Sequence, residues 1–372
     1  DIFEGMTVNA LDAVFRNVNP EKFYTEIPTG VGFCMGINYD LIQEIGFFSE
    51  EEFGKGYGEE NDWCQRAILH GYKNLMVPNL FVYHKHGGSF SAEQKALLMK
   101  ENAVKLLHKH PNYDKDVEAY VQRDPHHTLR QILTLVAASS HQEGVYLIID
   151  QALGGGANSY RENLAEGYQK AGKKVLQLIF DFYANTYKLY FDYGEYHFSF
   201  SIIELNELEI FFEQISIKEV FLNNLVSFQE SHQVLAFVKK LTLDNQAQLI
   251  IPIHDYYAVC PNYTLLNSDG EFCEIPSLEI CKACMASNNL EWKTFFNDSS
   301  DVELWREEWT SLFTIAHAIL CFSHSSKELL LRAYKEIEEN KIKIIPHEVP
   351  AMPAISREPS SVEKTSVIIG VL

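Results

Sequence analysis

From residue 144 onward, short apolar runs alternate with polar, glycine-bearing turns. Val145-Tyr146-Leu147-Ile148-Ile149 is continuous and rich in β-branched residues, the pattern of a strand buried on both faces. It passes through Asp150 into a glycine loop, Gly154-Gly155-Gly156-Ala157-Asn158, and then into a helix over 159–171. The spacing predicts further strands at 174–181, 219–222, 249–254 and 318–322, with helical stretches such as 231–243 between them. Strands alternating with helices imply an α/β domain built on a doubly wound parallel sheet.

Before residue 144 the pattern is more broken. Gly32-Phe33-Cys34-Met35-Gly36-Ile37 predicts a buried strand, 40–45 a short helix, and 74–77 and 80–83 short strands. A helix over 61–70 places Trp63, Ala67 and Ile68 on or near one face and closes at Gly71. Residues 91–108 predict an amphipathic helix, capped by serine and ended before Pro111, and 112–140 a helical connector. At the far end Pro350, Pro353 and Pro359 mark a linker, and 366–371 reads as the first strand of a further domain. The expected division is therefore 1–111, 112–140, 141–348 and 349–372, in a chain expected to be a piece cut at both ends.

Composition narrows the setting. The 372 residues are 46% hydrophobic and 22% charged, ordinary for folded protein, and no apolar run approaches the ~18 residues of a membrane span. A net charge of −20 argues against nucleic acid or an anionic membrane as the main partner. An anionic nucleotide-sugar remains open, because a metal neutralises a diphosphate locally. Seven cysteines without a secretory signal fit a reducing cytoplasm. Peripheral contact at the inner face of a membrane is compatible with that location.

The densest chemistry lies at Gly56-Tyr57-Gly58-Glu59-Glu60-Asn61-Asp62 and, about twenty residues on, Val82-Tyr83-His84-Lys85-His86-Gly87-Gly88-Ser89. Carboxylates crowded at a helix start repel one another, which raises the proton affinity of at least one. The same cluster also suits the helix dipole alone. His84 is either a metal ligand or a structural histidine, and His86 either an acceptor contact or a surface residue. Trp63 belongs in a core, although its ring could stack on a sugar.

These motifs, with Gly32-Phe33-Cys34-Met35, Gly46-Phe47-Phe48, Arg66 and Gly71-Tyr72, resemble the C-terminal half of a family-2 glycosyltransferase domain of GT-A fold. The resemblance implies Glu60 as the base for an acceptor hydroxyl, with Glu59 and Asp62 shaping its charge. It implies His84 as a ligand to Mn2+ or Mg2+, and Gly30 and Gly32 at the acceptor border. The GT-A nucleotide-binding half and its Asp-x-Asp motif have no counterpart before residue 30, so this unit is expected to be inactive alone.

The second unit resembles the N-terminal Rossmann-like domain of GT-B enzymes, family 4 in particular, over 144–348. The residues that carry this are the Gly154-Gly155-Gly156 loop with Tyr160 and Arg161, His254-Asp255-Tyr256, Ser323 with Ser325-Ser326, and Ile344-Ile345-Pro346-His347. It implies that the glycine loop and His254 face the interdomain cleft, His254 being a catalytic or acceptor contact or else a structural strand-end histidine. Cys260, Cys273, Cys281 and Cys284 have the spacing C-x12-C-x7-C-x2-C, open to structural zinc, free thiols or disulfides. Cys34, Cys64 and Cys321 are expected in the core.

Together these features predict a glycosyltransferase that takes a nucleotide-sugar donor and a glycan or lipid-linked glycan acceptor, with an inverting first module. A non-catalytic carbohydrate-binding or scaffolding role is the alternative. A zinc hydrolase is disfavoured, because the spacing from Glu60 to His84 is not that of a zincin.

Overall fold

The computed structural model describes residues 3–54, 56–84, 92–287 and 301–347. A minimal antiparallel pair, β1 (Thr25–Glu26) and β2 (Leu75–Met76), lies in the first part of the chain. The main sheet contains β3 (Val145–Gln151), β4 (Val175–Asp181), β5 (Thr186–Tyr193), β6 (Tyr196–Ile202), β7 (Ile217–Leu222), β8 (Gln248–Ile253), β9 (Ala318–Cys321) and β10 (Ile342–Ile344). Among the described residues these eight strands run in the order β10-β9-β8-β7-β3-β4-β5-β6. The six from β10 to β4 pair in parallel, and β5 and β6 close one edge as an antiparallel hairpin.

The apolar runs explain the parallel part. β3 is buried along nearly its whole length, as a central strand covered on both faces must be. The chain leaves β3 for β4 on one side and returns to β7 on the other. The order therefore reverses beside β3, and a crevice opens at the carboxyl ends of the strands. Pairing of β7 with β8 stops at Phe221 and Ile250, whereas β8 stays paired with β9 through Ile253 and Cys321. The residues after Phe221 and Ile250 thus spread apart and line that crevice.

One extensive apolar cluster holds the sheet to its helices, including Leu147, Ile149, Leu176, Val220, Leu249, Trp305 and Phe313. Leu11 and Val14, from the helix Val8–Arg16, join it together with Leu133 and Leu135 from the helix His127–Ser140. The start of the chain and the connector are therefore packed into the sheet's core.

The region between is different. Leu41, Trp63, Cys64 and Ala67 form a small cluster, with Met35, Ile37, Ile42, Ile45 and Phe48 around it. The helices Tyr39–Ile45 and Glu59–Leu69 appear where helical spacing places them, and Ala92–Lys109 covers the expected amphipathic helix. The expected strand at 32–37 does not form: Val31 is 64% and Phe33 50% exposed, so the run has no sheet to enter. No strand forms at 80–83 either, and of 74–77 only Leu75–Met76 pairs. The hairpin β5–β6 is the main element absent from the sequence reading, although its alternation of aromatic and polar residues is strand-like. Ser91, the proline linker and 366–371 lie outside the described residues. Among the described residues no helix is long and apolar enough to cross a membrane.

Candidate functional site

The helix Glu59–Leu69 organises the first site. Its N-cap is Gly58, whose φ of +129° suits glycine and whose position leaves no room for a Cβ, which would meet the Phe53 ring at 2.9 Å. The first turn carries Glu59, Glu60 and Asp62. Asp62 is fully buried and is clasped by Arg66 (2.8 Å), Lys109 (2.8 Å) and His110 (2.8 Å). Burial works against its ionisation, but hydrogen bonds from Lys109, His110 and Arg66 prevail and hold its carboxyl below the usual range. Asp62 is thus the electrostatic anchor between this helix and the end of Ala92–Lys109.

The other contacts of the helix pin the loops around it. Trp63 donates its ring N–H to the Gly46 carbonyl (2.9 Å), and Arg66 donates to the carbonyls of Ile45 and Phe47. On another side Gln65 donates to the Pro28 carbonyl (2.8 Å), Thr29 donates to Asn61 Oδ1 (2.7 Å), and the Gly30 N–H reaches Cys64 Sγ (3.3 Å). The residues of the Gly46-Phe47-Phe48 turn, Trp63 and Arg66 therefore form one structural assembly.

Glu59 and Glu60 remain nearer the surface, each half-buried. One Glu59 oxygen is buried without a hydrogen-bond partner. Burial, reinforced by the neighbouring Glu60, pushes the Glu59 carboxyl above its ordinary value. Glu60 Oε2 accepts a long hydrogen bond from the Gly58 N–H (3.3 Å). A Cβ at Gly32 would lie 3.8 Å from the Glu60 Cβ, so this glycine forms a bare wall beside the carboxylate. Next to it, Phe33 stacks on the exposed His84 ring with centroids 4.6 Å apart. Gly32 thus lies beside Glu60 and Phe33 beside His84, while His86 lies outside the described residues.

The second site sits at the carboxyl edge of the main sheet. Gly154 and Gly155 have φ of +90° and +91°, and the loop turns directly into the helix Gly156–Lys170. Asn158 ties it down, donating to Asp150 Oδ2 (2.7 Å) and to the Gln151 carbonyl (2.7 Å). Asp150 is fully buried. Burial raises its pKa against the hydrogen bonds of Asn223 and Asn158 and the charge of Arg161. Asn223, at the end of β7, donates to the Ala157 carbonyl (2.9 Å) and presents its Oδ1 to His254 Nε2 at 2.9 Å.

That orientation fixes the histidine. Because Asn223 Oδ1 is the acceptor, His254 Nε2 carries the proton and Nδ1 carries the lone pair. Burial, with the nearby His347 adding repulsion, lowers the His254 pKa to about 4, so the ring is neutral at ordinary pH. His254 stacks with Phe322 (4.9 Å) and Phe322 with His347 (3.8 Å), while Tyr160 meets His254 edge-on (5.1 Å). Asn224 donates to Asp255 Oδ2 (2.7 Å), anchoring the turn after β8.

Asp150, Asn223, Asn224 and Phe322 were not singled out by the sequence reading. Each lies at, or just past, the carboxyl end of a predicted parallel strand, which is where such a sheet directs residues toward its crevice.

The four cysteines Cys260, Cys273, Cys281 and Cys284 all line one cavity of about 220 Å³. As the side chains stand, no group of three or more His, Cys, Asp or Glu among the described residues is arranged to hold a metal ion. Cys64 and Cys321 are in the core as expected, whereas Cys34 is exposed because its segment forms no strand. No protein-family model, curated protein or solved structure matches this chain.

Proposed function

We propose that this chain is glycosyltransferase machinery, serving transfer of a sugar from a nucleotide-sugar to a glycan or lipid-linked glycan acceptor. The observation that carries the reading is the Glu59–Glu60 pair, set against the bare wall of Gly32 with the Phe33–His84 stack alongside. A base for a sugar hydroxyl needs a carboxylate at the surface with room for a ring beside it. Asp62, enclosed by Arg66, Lys109 and His110, is the anchor that holds the helix bearing that base.

In this reading Glu60 takes the acceptor hydroxyl proton as the oxygen attacks the anomeric carbon. The new C–O bond forms as the bond to the nucleoside diphosphate breaks, which inverts the anomeric centre. Glu59 shapes the charge of its neighbour, and the face of Phe33 offers an apolar surface to a sugar ring. His84 would help hold a divalent ion, and such an ion would neutralise the leaving diphosphate.

The crevice at the carboxyl edge of the main sheet supports the same reading. A neutral His254 with its Nδ1 lone pair available, beside the rings of Tyr160, Phe322 and His347, suits contact with a saccharide hydroxyl and a ring face.

The test is Glu60→Gln, assayed for transfer from a panel of nucleotide-sugars with Mn2+ present, in the complete natural protein carrying this sequence. The expected loss in kcat is about 10²- to 10⁴-fold with an unchanged melting temperature. An unchanged rate removes Glu60 from the mechanism. Saccharide binding without transfer from any donor would favour a carbohydrate-binding module instead.

A further inference from the structure

We propose that Cys260, Cys273, Cys281 and Cys284 form a tetrathiolate site for a structural zinc ion, which staples the segment after β8 together. The four residues come from separate places: Cys260 from the turn after β8, Cys273 from just beyond the Leu266–Phe272 bridge, and Cys281 and Cys284 from the helix Leu278–Ser287. On that helix the last two are three positions apart, which places them on the same face. All four residues nevertheless line one cavity, although as the side chains stand they are not yet arranged around a metal ion.

Their surroundings suit this ligand set. The contacts of Cys260 Sγ with Met285 Sδ (3.7 Å) and of Cys281 Sγ with the Pro276 carbonyl (3.7 Å) are weak and easily exchanged for a metal bond. Arg306 donates to the Val259 carbonyl and places its guanidinium 3.5 Å from Cys281 Sγ. A zinc ion bound by four thiolates is a net anion, and a fixed guanidinium at its edge offsets that charge. On binding, each thiol loses its proton to solvent as its Zn–S bond forms.

The segment also needs a staple. Leu265, Glu274 and Ile275 all hold left-handed φ, +55°, +52° and +58°, which is costly for non-glycine residues. Among the described residues the local apolar cluster has Cys281, Met285 and Val302 as buried members, with Cys260 and Leu278 beside them. Metal binding requires all four thiols to close to about 2.3 Å from a common centre.

The test uses the whole chain purified under reducing conditions. Metal analysis is expected to find stoichiometric zinc, released as a mercurial reagent titrates the thiols. Cobalt exchange is expected to show thiolate charge-transfer bands and the visible bands of tetrahedral cobalt. Joint replacement Cys281→Ser and Cys284→Ser should reduce bound zinc to background. The wild-type spectrum tests the site even if that variant fails to fold. Prompt reaction of all four thiols with no cobalt–thiolate band would overturn the proposal. So would disulfides among them in mass spectra, or iron with labile sulfide in place of zinc.

Discussion

The sheet and the acidic-cluster region are held together by different forces, although they share one chain. In the sheet the buried residues are overwhelmingly aliphatic and aromatic, joined in one extensive cluster that reaches back to Leu11 and a smaller one around Ile148, Val175 and Phe221. Around Glu59–Leu69 the apolar cluster among the described residues is small (Leu41, Trp63, Cys64 and Ala67, with Phe53 and Leu106 buried nearby), and hydrogen bonds from Trp63, Gln65 and Arg66 to loop carbonyls add to it. The central tie is a buried charge, Asp62, among Arg66, Lys109 and His110. Area-driven cohesion is spread over many residues, whereas a buried ionic knot depends on every partner. The region carrying the proposed base is thus the more fragile.

The largest effect is expected from Trp305→Ala. This side chain is fully buried and donates its ring N–H to the Tyr257 carbonyl at 2.7 Å. Its removal should cost about 4 kcal/mol, read as a lowered urea midpoint for the sheet's near-UV signal. A loss confined to local exchange would show that the sheet's cohesion is less shared than its cluster implies.

Asp62→Asn comes next, at about 3 kcal/mol, because the cations around it lose their buried partner. Hydrogen exchange should rise at 28–30, 45–47 and 59–69 while the sheet stays protected. Equal loss of protection in both regions would erase the distinction.

Acid separates them in a different order. The folded pKa of His254, about 4, lies below its ordinary 6.5, so between those values the unfolded chain takes a proton that the folded ring refuses. That contribution is complete above pH 6.5 and lost as the pH falls toward 4, about 2 kcal/mol after allowing for partial exposure. Asp62, whose pKa is lowered, keeps its contribution above the ordinary 3.8 and gives it up only below that. From pH 6.5 to 4 the sheet should therefore weaken before the acidic-cluster region does. His254→Gln should flatten that slope in urea titrations; an unchanged slope would mean the histidine is not responsible.

The smallest effect has the opposite sign. Glu59 has a raised pKa, so its folded form resists ionisation and the chain gains stability below the ordinary 4.5, losing it as the pH rises. Glu59→Gln should stabilise the protein at pH 7 by up to about 1 kcal/mol and have no effect near pH 4. Destabilisation at pH 7 would show that the charged form is favoured.

The legible part of the fold was the part whose signal is local. β3, β4, β7, β8 and β9 follow from apolar runs, because a strand buried on both faces must be apolar throughout. The strand expected at 32–37 failed because Val31 and Phe33 carry the same apolar signal while exposed. An apolar run needs a neighbouring strand to become one itself. For the candidate sites, Glu59, Glu60, His84, His254 and the cysteines stand out by residue type and spacing, while the roles proposed for the acids and histidines rest on the family resemblance. The partners that define their chemistry do not stand out: His110 meets Asp62 across 48 residues, and Asn223 meets His254 across 31.

Residue type and spacing along the chain were enough to establish the alternation of strands and helices, the glycine turn after β3, and an acidic helix start at 59–62. Only the folded arrangement distinguished the three acids. It buried Asp62 among cations, left Glu59 with an unpaired oxygen, and kept Glu60 beside the bare wall of Gly32. It likewise set the tautomer of His254 through Asn223 and gathered four distant cysteines around one cavity. The physical reason is that charge state and ligand geometry depend on burial and on partners across space, and neither is encoded in any short stretch of sequence.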